Sequence, residues 1–489
     1  MIEAIKNSDN TALLTLLAEQ QSQLEQKDLR ITNLEQQLEQ LLRHIYGQRS
    51  EKFSVDASQM SLGLDLPLVE KAERKIETIT YEREKSSGKS NHKGRIPFPE
   101  HLPRVDEVVA PKEDVNGLAV IGQQVTERLE FDPGKLFVKR YIRYKYAKAN
   151  NEGVIIADLP ASPIDKGSAG ASVLALVIVQ KYVDHLPLYR QIEQFKRMGI
   201  SIPSSTMSDW IKTAAELIAP LYEALVKQIL RSNYLQADET RIQVLDRDKK
   251  SKTHRGWYWT YRDPLTGMVF FDYHESRGRA GPSEMLKDFD GYLQTDGYEV
   301  YNQFDKNNIT LVHCMAHARR YCEQALDNDK ELASHALKEI QRLYAVERHC
   351  RENNLSHDQR LIERNQKSVP VLGSLLQWLK ENIIQVTPSS AIGKAISYSL
   401  PRWDKLMIYA TDGKLEIDNN LVENSIRPIA IGRKNYLFAG SHQSAQNAAM
   451  FYSLLGTCKL KGIEPFSWLK NIFEVLPDYK ANRLEELLP

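Results

Sequence analysis

With 489 residues and 42% hydrophobic content, the chain is long enough for several domains with real cores. Its 65 Lys and Arg residues face 64 Asp and Glu residues, a net charge of +1, so a surface for nucleic acid must come from local clusters of charge. The four cysteines (Cys314, Cys322, Cys350, Cys458) are scattered and form no Cys-x-x-Cys pair, which excludes a disulfide framework, and the longest apolar run, VLALVIV at 173–179, is far too short to span a bilayer.

The opening MIEAIKNSDN is polar and does not read as a signal peptide, so the expectation is a soluble, cytoplasmic protein without a membrane partner. Residues 1–53 carry a heptad seam: Leu17, Leu24, Ile31, Leu38 and Ile45 recur every seventh residue, interleaved with Leu13, Gln20, Lys27, Leu34 and Leu41. This predicts a coiled coil that pairs two copies, against the plainer reading of a long helix packed on its own protein. Residues 54–103 are charged, rich in Ser, Gly and Pro and without period, as in a linker.

Residues 104–165 form a small β-rich domain, with VTERLEF and KLFVKRYIRYKYA joined by the turn signal DPGK. Arg140, Arg143 and Lys145 alternate with Tyr141, Tyr144 and Tyr146, which suits either a ribbon on a DNA backbone or an ordinary half-buried hairpin. Residues 166–230 are helical. One helix ends at Gly199, an Ile-Ser-Ile-Pro turn follows, and Ser204 or Ser205 caps the next helix, which carries Trp210. That is the layout of a helix-turn-helix with Ser204–Lys212 as its reading helix, although the spacing also occurs in ordinary bundles.

From 231 to 322 the pattern is a mixed sheet. YLQADETRIQVLD is a strand, RGWYWTYRD and MVFFDYHES make a hairpin around PLTG, SEMLKDF is a short helix, and YLQTDGYEVYN and ITLVHCMAH each open with a strand. Residues 323–401 are long charged helices, 402–445 contain DNNLVENSIRPIAIGRKNYLFAGS, and 446–489 are again helical.

Two of the strands end alike, LQAD at Asp238 and LQTD at Asp296. Singly, each aspartate reads as a strand end or a turn. Together, at neighbouring strand ends, two carboxylates repel unless cations sit between them. Magnesium takes carboxylate oxygens, and a two-ion site serves phosphodiester chemistry. Glu423 is the candidate third carboxylate. If Asn420 caps the helix, Glu423 falls at the third helical position, close to a capping box that needs no function. Arg427 follows one turn later, Pro428 limits or kinks the helix, and Arg433 and Lys434 suit phosphate. Cys314 and His317 have ligand-like spacing, but one pair cannot close a zinc site. His317, Arg319 and Arg320 read as DNA contacts or as a structural helix start.

DET at 238–240, DGY at 296–298, CMAHARR at 314–320 and DNNLVENSIRPIAIGRKNYLFAGS at 418–441 resemble the DDE transposases of the IS-sixty-six group of bacterial insertion sequences. LLRHIYGQRSEKF at 41–53, KYVDHLPLYRQ at 181–191, GISIPSSTMSDW at 199–210 and LLGTCKLKGIEPFSWL at 454–469 extend the resemblance over nearly the whole chain. It implies an α/β multidomain protein with an RNase H-like core in two parts, 231–322 and 402–445, and a helical insertion at 323–401. It also implies a catalytic, metal-binding triad of Asp238, Asp296 and Glu423 holding two Mg2+ ions, with Mn2+ as an alternative. The implied activity is cleavage at the terminal inverted repeats of a mobile element and strand transfer into target DNA. The implied setting is nucleoid-associated, as a homodimer or higher oligomer, with small accessory proteins of the same element. The expected DNA contacts are Ser204, Ser205, Lys212, His317, Arg319, Arg320, Arg427, Arg433 and Lys434. The rival expectation is a non-catalytic, transposase-derived DNA-binding protein.

One departure stands out. Members of the group commonly carry a zinc module with two cysteine pairs after the linker, where this chain reads VNGLAVIG at 115–122 and YAKANNEG at 146–153. With no cysteine before Cys314, no zinc is expected in the 104–165 domain.

Overall fold

The structure, a computed structural model, describes residues 169–246, 252–306 and 308–489, the short strands 145–147 and 154–156, and positions 134, 136, 161–164 and 167. All of these belong to the unit Glu130–Pro489. The expected coiled coil, the linker and most of the β-rich domain lie outside the described residues. Within that domain β1 (Lys145–Ala147) pairs antiparallel with β2 (Val154–Ile156), Lys145 opposite Ile156. The end of the predicted second strand thus pairs forward. Its expected partner at 125–131 lies outside the described residues.

Helix α1 (Ala171–Tyr182) is apolar over most of its surface and is correspondingly buried, through Leu174, Val177, Ile178 and Tyr182. Helix α2 (Leu188–Arg197) is amphipathic and buries only Gln191 and Phe195. Gly199, at φ +83°, turns the chain out of it. Helix α3 (Ser204–Leu230) then runs for 27 residues. Its cap position is Pro203, and neither Ser204 nor Ser205 caps it with a side chain. Both serines are instead exposed first-turn residues. Proline preset in an extended conformation starts the helix without a side-chain oxygen.

The central sheet has the order β5-β4-β3-β6-β7. β3 (Tyr234–Leu245), β4 (Thr253–Asp263) and β5 (Met268–His274) are antiparallel neighbours. β6 (Gly291–Thr295) and β7 (Ile309–His313) continue the sheet in parallel on the other side of β3. The β4–β5 turn is held by Asp263, whose carboxylate accepts from Leu265 N at 2.8 Å and Thr266 Oγ1 at 2.7 Å. The short helix α4 (Ala280–Met285) precedes β6, starting a few residues before the SEMLKDF run.

Helix α5 (Met315–Gln324) follows β7. Helices α6 (Lys330–Glu352), α7 (His357–Glu363), α8 (Val369–Asn382), α9 (Ala391–Ser399) and α10 (Trp403–Met407) form a bundle, and α11 (Asn420–Tyr436), α12 (His442–Leu460) and α13 (Pro465–Val475) return to the sheet. Two apolar cores result. One joins the sheet to α1, α3, α12 and α13, and the other joins α5, α6, α8, α9 and α10 to Tyr234 and Val312 of the sheet.

The edge strand β5 is closed by side chains rather than by another strand. Phe271 N donates to Ser453 Oγ at 2.8 Å, Val269 N donates to Thr457 Oγ1 at 3.2 Å, and Phe271 O accepts from Tyr222 Oη at 2.8 Å. Hydroxyls from α12 and α3 therefore take the backbone groups that would otherwise invite another strand. No helix among the described residues is long and apolar enough to cross a membrane.

Candidate active site at the strand ends

In the parallel pair of β3 and β6, Gln236 stands opposite Gln294. Asp238 and Asp296 each lie two residues beyond that pair, Asp238 within β3 and Asp296 just past the end of β6. Side chains alternate along a strand, so Gln236 shares a face with Asp238. Asp238 Oδ1 accepts from Glu239 N at 2.7 Å. Asp296, just past β6, turns the chain by accepting from Tyr298 N at 2.8 Å, and Gly297 completes the turn at φ +88°.

The two glutamines dock the third carboxylate. Gln236 Nε2 donates to Gln294 Oε1 at 2.8 Å and to Asp418 O at 2.9 Å, and its Oε1 accepts from Val422 N at 3.2 Å. Gln294 Nε2 donates to Glu416 O at 2.8 Å, and Tyr234 Oη accepts from Glu416 N at 3.0 Å. From β4, Arg262 Nη1 donates to Leu421 O at 2.8 Å and Ser425 Oγ at 3.1 Å. The start of α11 is thus pinned over the face where the two aspartates emerge, and Glu423 lies on its first turn. The capping box does not form. The cap is Asn419, whose side chain makes no cap hydrogen bond, and Glu423 sits one position later than expected. Pro428 does not end the helix either, since α11 continues to Tyr436. The carbonyl left without a donor is that of Asn424, an exposed residue within reach of water.

Neighbouring carboxylates act on Asp238 and on Glu423. Burial, then Glu239, Asp296 and Glu423, push the Asp238 carboxyl well above its ordinary range. Burial also raises Glu423, with Asp418 and Asp296 adding to the effect and Arg320 and Arg427 opposing it. His317 Nε2 lies 3.9 Å from Glu423 Oε1, and burial together with Arg320 disfavours its cationic form. Glu239 is buried against Arg277, whose guanidinium lies 4.0 Å from the Tyr298 ring centre and 4.9 Å from that of Trp257.

Hard cations suit this donor set by chemistry: three carboxylates, one of them buried and repelled by the others without a cationic partner of its own. Beside them the Asn419 amide and His317 Nδ1 are buried and make no hydrogen bond among the described residues. Among the described residues no group of three or more His, Cys, Asp or Glu side chains is gathered closely enough to hold a metal ion.

The basic residues divide. Arg320 and Arg427 are exposed, flank Glu423 and have no ion-pair partner among the described residues. Arg319 pairs with Glu323 at 3.1 Å on its own helix. Lys434 is exposed on α11, whereas Arg433 turns inward, donating to Thr240 Oγ1 at 2.9 Å and to Arg241 O. Ser204, Ser205 and Lys212 belong to a different element, α3, with Lys212 3.9 Å from Glu216. Sequence reasoning passed over Gln236, Gln294 and Arg277. The repeated Leu-Gln before each aspartate was the visible signal for the first two.

A model described as the Transposase IS66 family matches residues 166–447. One described as Transposase C of IS166 homeodomain matches 33–106, and one described as the IS66 C-terminal element matches 453–489. In Sinorhizobium fredii, the uncharacterized protein y4jD is 33% identical over 95% of this chain and 96% of its own length. The uncharacterized protein y4qI of the same organism is 32% identical over 94% of this chain and 89% of its own.

Proposed function

The chain belongs to the Transposase IS66 family, and from that premise we propose that it binds the terminal inverted repeats of an insertion sequence and catalyses strand cleavage and strand transfer. The observation that supports the proposal is that Asp296 and Glu423 both act on Asp238, and Asp296 on Glu423, although the three come from β3, the turn after β6 and α11. Three antiparallel strands followed by two parallel ones, with the third carboxylate on a later helix, support reading the sheet as an RNase H-like core. Residues 323–401 are then the helical insertion, and 166–230 and 446–489 the flanking helical regions.

In this reading the three carboxylates hold two divalent ions, magnesium or manganese, which when bound supply a polarised water or 3′-hydroxyl and a stabilised leaving oxygen. Arg320 and Arg427 orient phosphates on either side of Glu423. Asn424, Arg427, Ile431 and Lys434 form one exposed stripe of α11 along which a backbone can lie. His317 stays neutral and steadies Glu423 by a hydrogen bond once the gap closes. Residues 1–53 pair protomers so that two element ends meet, and the small accessory proteins of such elements are further partners.

The second reading is a transposase-derived DNA-binding protein without catalysis. A nicking assay on element-end DNA with Mg2+ or Mn2+ separates the two. Metal-dependent nicks lost in Asp238→Asn support the first reading. End binding without nicks in either metal supports the second.

A further inference from the structure

The bundle between β7 and α11 reaches the site through two tyrosine hydroxyls. Tyr398, on α9, donates to the main-chain oxygen of Asp296 at 2.7 Å. Its ring is stacked on Tyr321 with centres 4.4 Å apart, and the Arg402 guanidinium covers it at 4.4 Å. Arg402 also packs against Gly297, where an added Cβ would stand 3.0 Å from its Nε. Tyr344, on α6, donates to Asp418 Oδ2 at 2.8 Å, and Asp418 Oδ1 accepts from Asn420 N, the first residue of α11, at 3.1 Å.

Behind these contacts lies a rigid mount. Arg360 makes a two-pronged bond to Glu416, Nη1 to Oε1 and Nη2 to Oε2, each at 3.0 Å. Arg364 donates to Leu415 O at 2.7 Å and Asp412 O at 2.8 Å. Both guanidiniums pair with the fully buried Glu347, and Glu416 supplies the second negative charge through Arg360. The segment 412–419 is therefore clamped to the bundle on one side and to Gln236 and Gln294 on the other.

We propose that this bundle is a positioning device for the cation site, with Tyr398 setting the peptide of Asp296 and Tyr344 setting, through Asp418, the start of the helix that aims Glu423. The inference rests on the three carboxylates forming a cation site. Neither tyrosine touches substrate or ion. Tyr398 restrains the peptide of one proposed ligand, Asp296, and Tyr344 acts on another, Glu423, only through Asp418 and the helix start. A bundle that merely packs against the sheet would need apolar contact there and no hydroxyl aimed at the Asp296 peptide or the Asp418 carboxylate.

The test uses the full-length protein and its Tyr398→Phe, Tyr344→Phe, doubly substituted and Asp238→Asn variants. Mn2+ binding is followed by calorimetry without DNA, with thermal melting and end-DNA gel shifts alongside. The expected result is Mn2+ affinity weakened about 10-fold by each phenylalanine, the effect typical of removing a hydrogen bond that orients a ligand, with melting in EDTA and DNA binding close to the unsubstituted protein. Affinity within about twofold of the unsubstituted protein in the double variant, while Asp238→Asn abolishes binding, overturns the positioning role and leaves the carboxylate site standing. Mn2+ binding that Asp238→Asn does not alter overturns the carboxylate site and the proposal with it. If the phenylalanine variants lose affinity only in proportion to lost folded protein, the hydroxyls are structural and the proposal falls.

Discussion

Gln294 donates from its side-chain amide to the main-chain oxygen of Glu416 at 2.8 Å, tying the strand that ends in Asp296 to the segment that delivers Glu423. Gln294→Leu would leave the Glu416 carbonyl, the Gln236 amide and the Tyr234 hydroxyl short of partners in a buried place. A loss of about 1–3 kcal/mol is expected, the cost of unsatisfied buried groups. Urea unfolding of the variant checks it, and an unchanged midpoint would remove the glutamine pair from this account.

Asp238→Asn, Asp296→Asn and Glu423→Gln should each slow nicking of element-end DNA by about 10³-fold or more, equivalent to several kcal/mol of lost charge stabilisation. Gel shifts on the same DNA should change little. Asp238→Asn should also melt no lower than the unsubstituted protein in EDTA, because burial and three neighbouring carboxylates already disfavour the charged form. A markedly lower melting temperature would show that Asp238 is held by a stabilising partner instead.

Glu347 predicts a pH dependence. Burial pushes its carboxyl up, but Arg364 and Arg360 overcome this and hold it below the ordinary glutamate value. A depressed folded-state value contributes stability that is fully present above the unfolded value, near pH 4.3, and lost as pH falls through the folded one. Glu347→Gln should cost about 3–5 kcal/mol at neutral pH, because the buried Arg364 loses its counter-charge and Arg360 keeps only Glu416. Its deficit against the unsubstituted protein should narrow in acid. Urea midpoints at about pH 7 and about pH 3 measure both, and an equal deficit at the two would contradict the ion-pair assignment.

The arginines around α11 should separate by assay. Arg320→Ala and Arg427→Ala should weaken end-DNA binding across sequences and reduce the slope of log affinity against log salt by about 1 each. Arg433→Ala should leave that slope unchanged and instead lower stability by about 1 kcal/mol, through its lost bonds to β3. A salt titration by fluorescence anisotropy, paired with melting curves, distinguishes the two. A reduced slope for Arg433→Ala would return that residue to the phosphate-contact group.

What was readable in advance was short in range. Alternation in YLQADETRIQVLD and YLQTD marked the strands, PLTG marked the hairpin, and Gly199 marked the helix end. Each depends on the conformational preferences of residues a few positions apart. The repeated Leu-Gln-x-Asp singled out both aspartates, yet its glutamines were read only as context. Their function depends on reaching Glu416, Asp418 and Val422, more than 120 residues away in the chain.

The sequence by itself determined the helical and strand segments of the described region, the three carboxylates to examine and the family to which the chain belongs. Tertiary structure decided how α11 begins. A cap predicted at Asn420 became a start pinned by Gln236 and Arg262 from the sheet, because buried backbone donors and acceptors take whichever partners packing brings to them. It also decided which basic residues remain outward, Arg433 being drawn to β3 while Arg320 and Arg427 stay at the surface. The parallel pairing of β3 with β6 brought the two Leu-Gln-x-Asp segments together, and the bundle at 330–411 supplied Tyr344, Arg360, Arg364 and Tyr398 to hold the Asp296 turn and the segment leading to Glu423. Charge and hydrogen-bond partners of this kind are chosen by distance in space, which no local periodicity encodes.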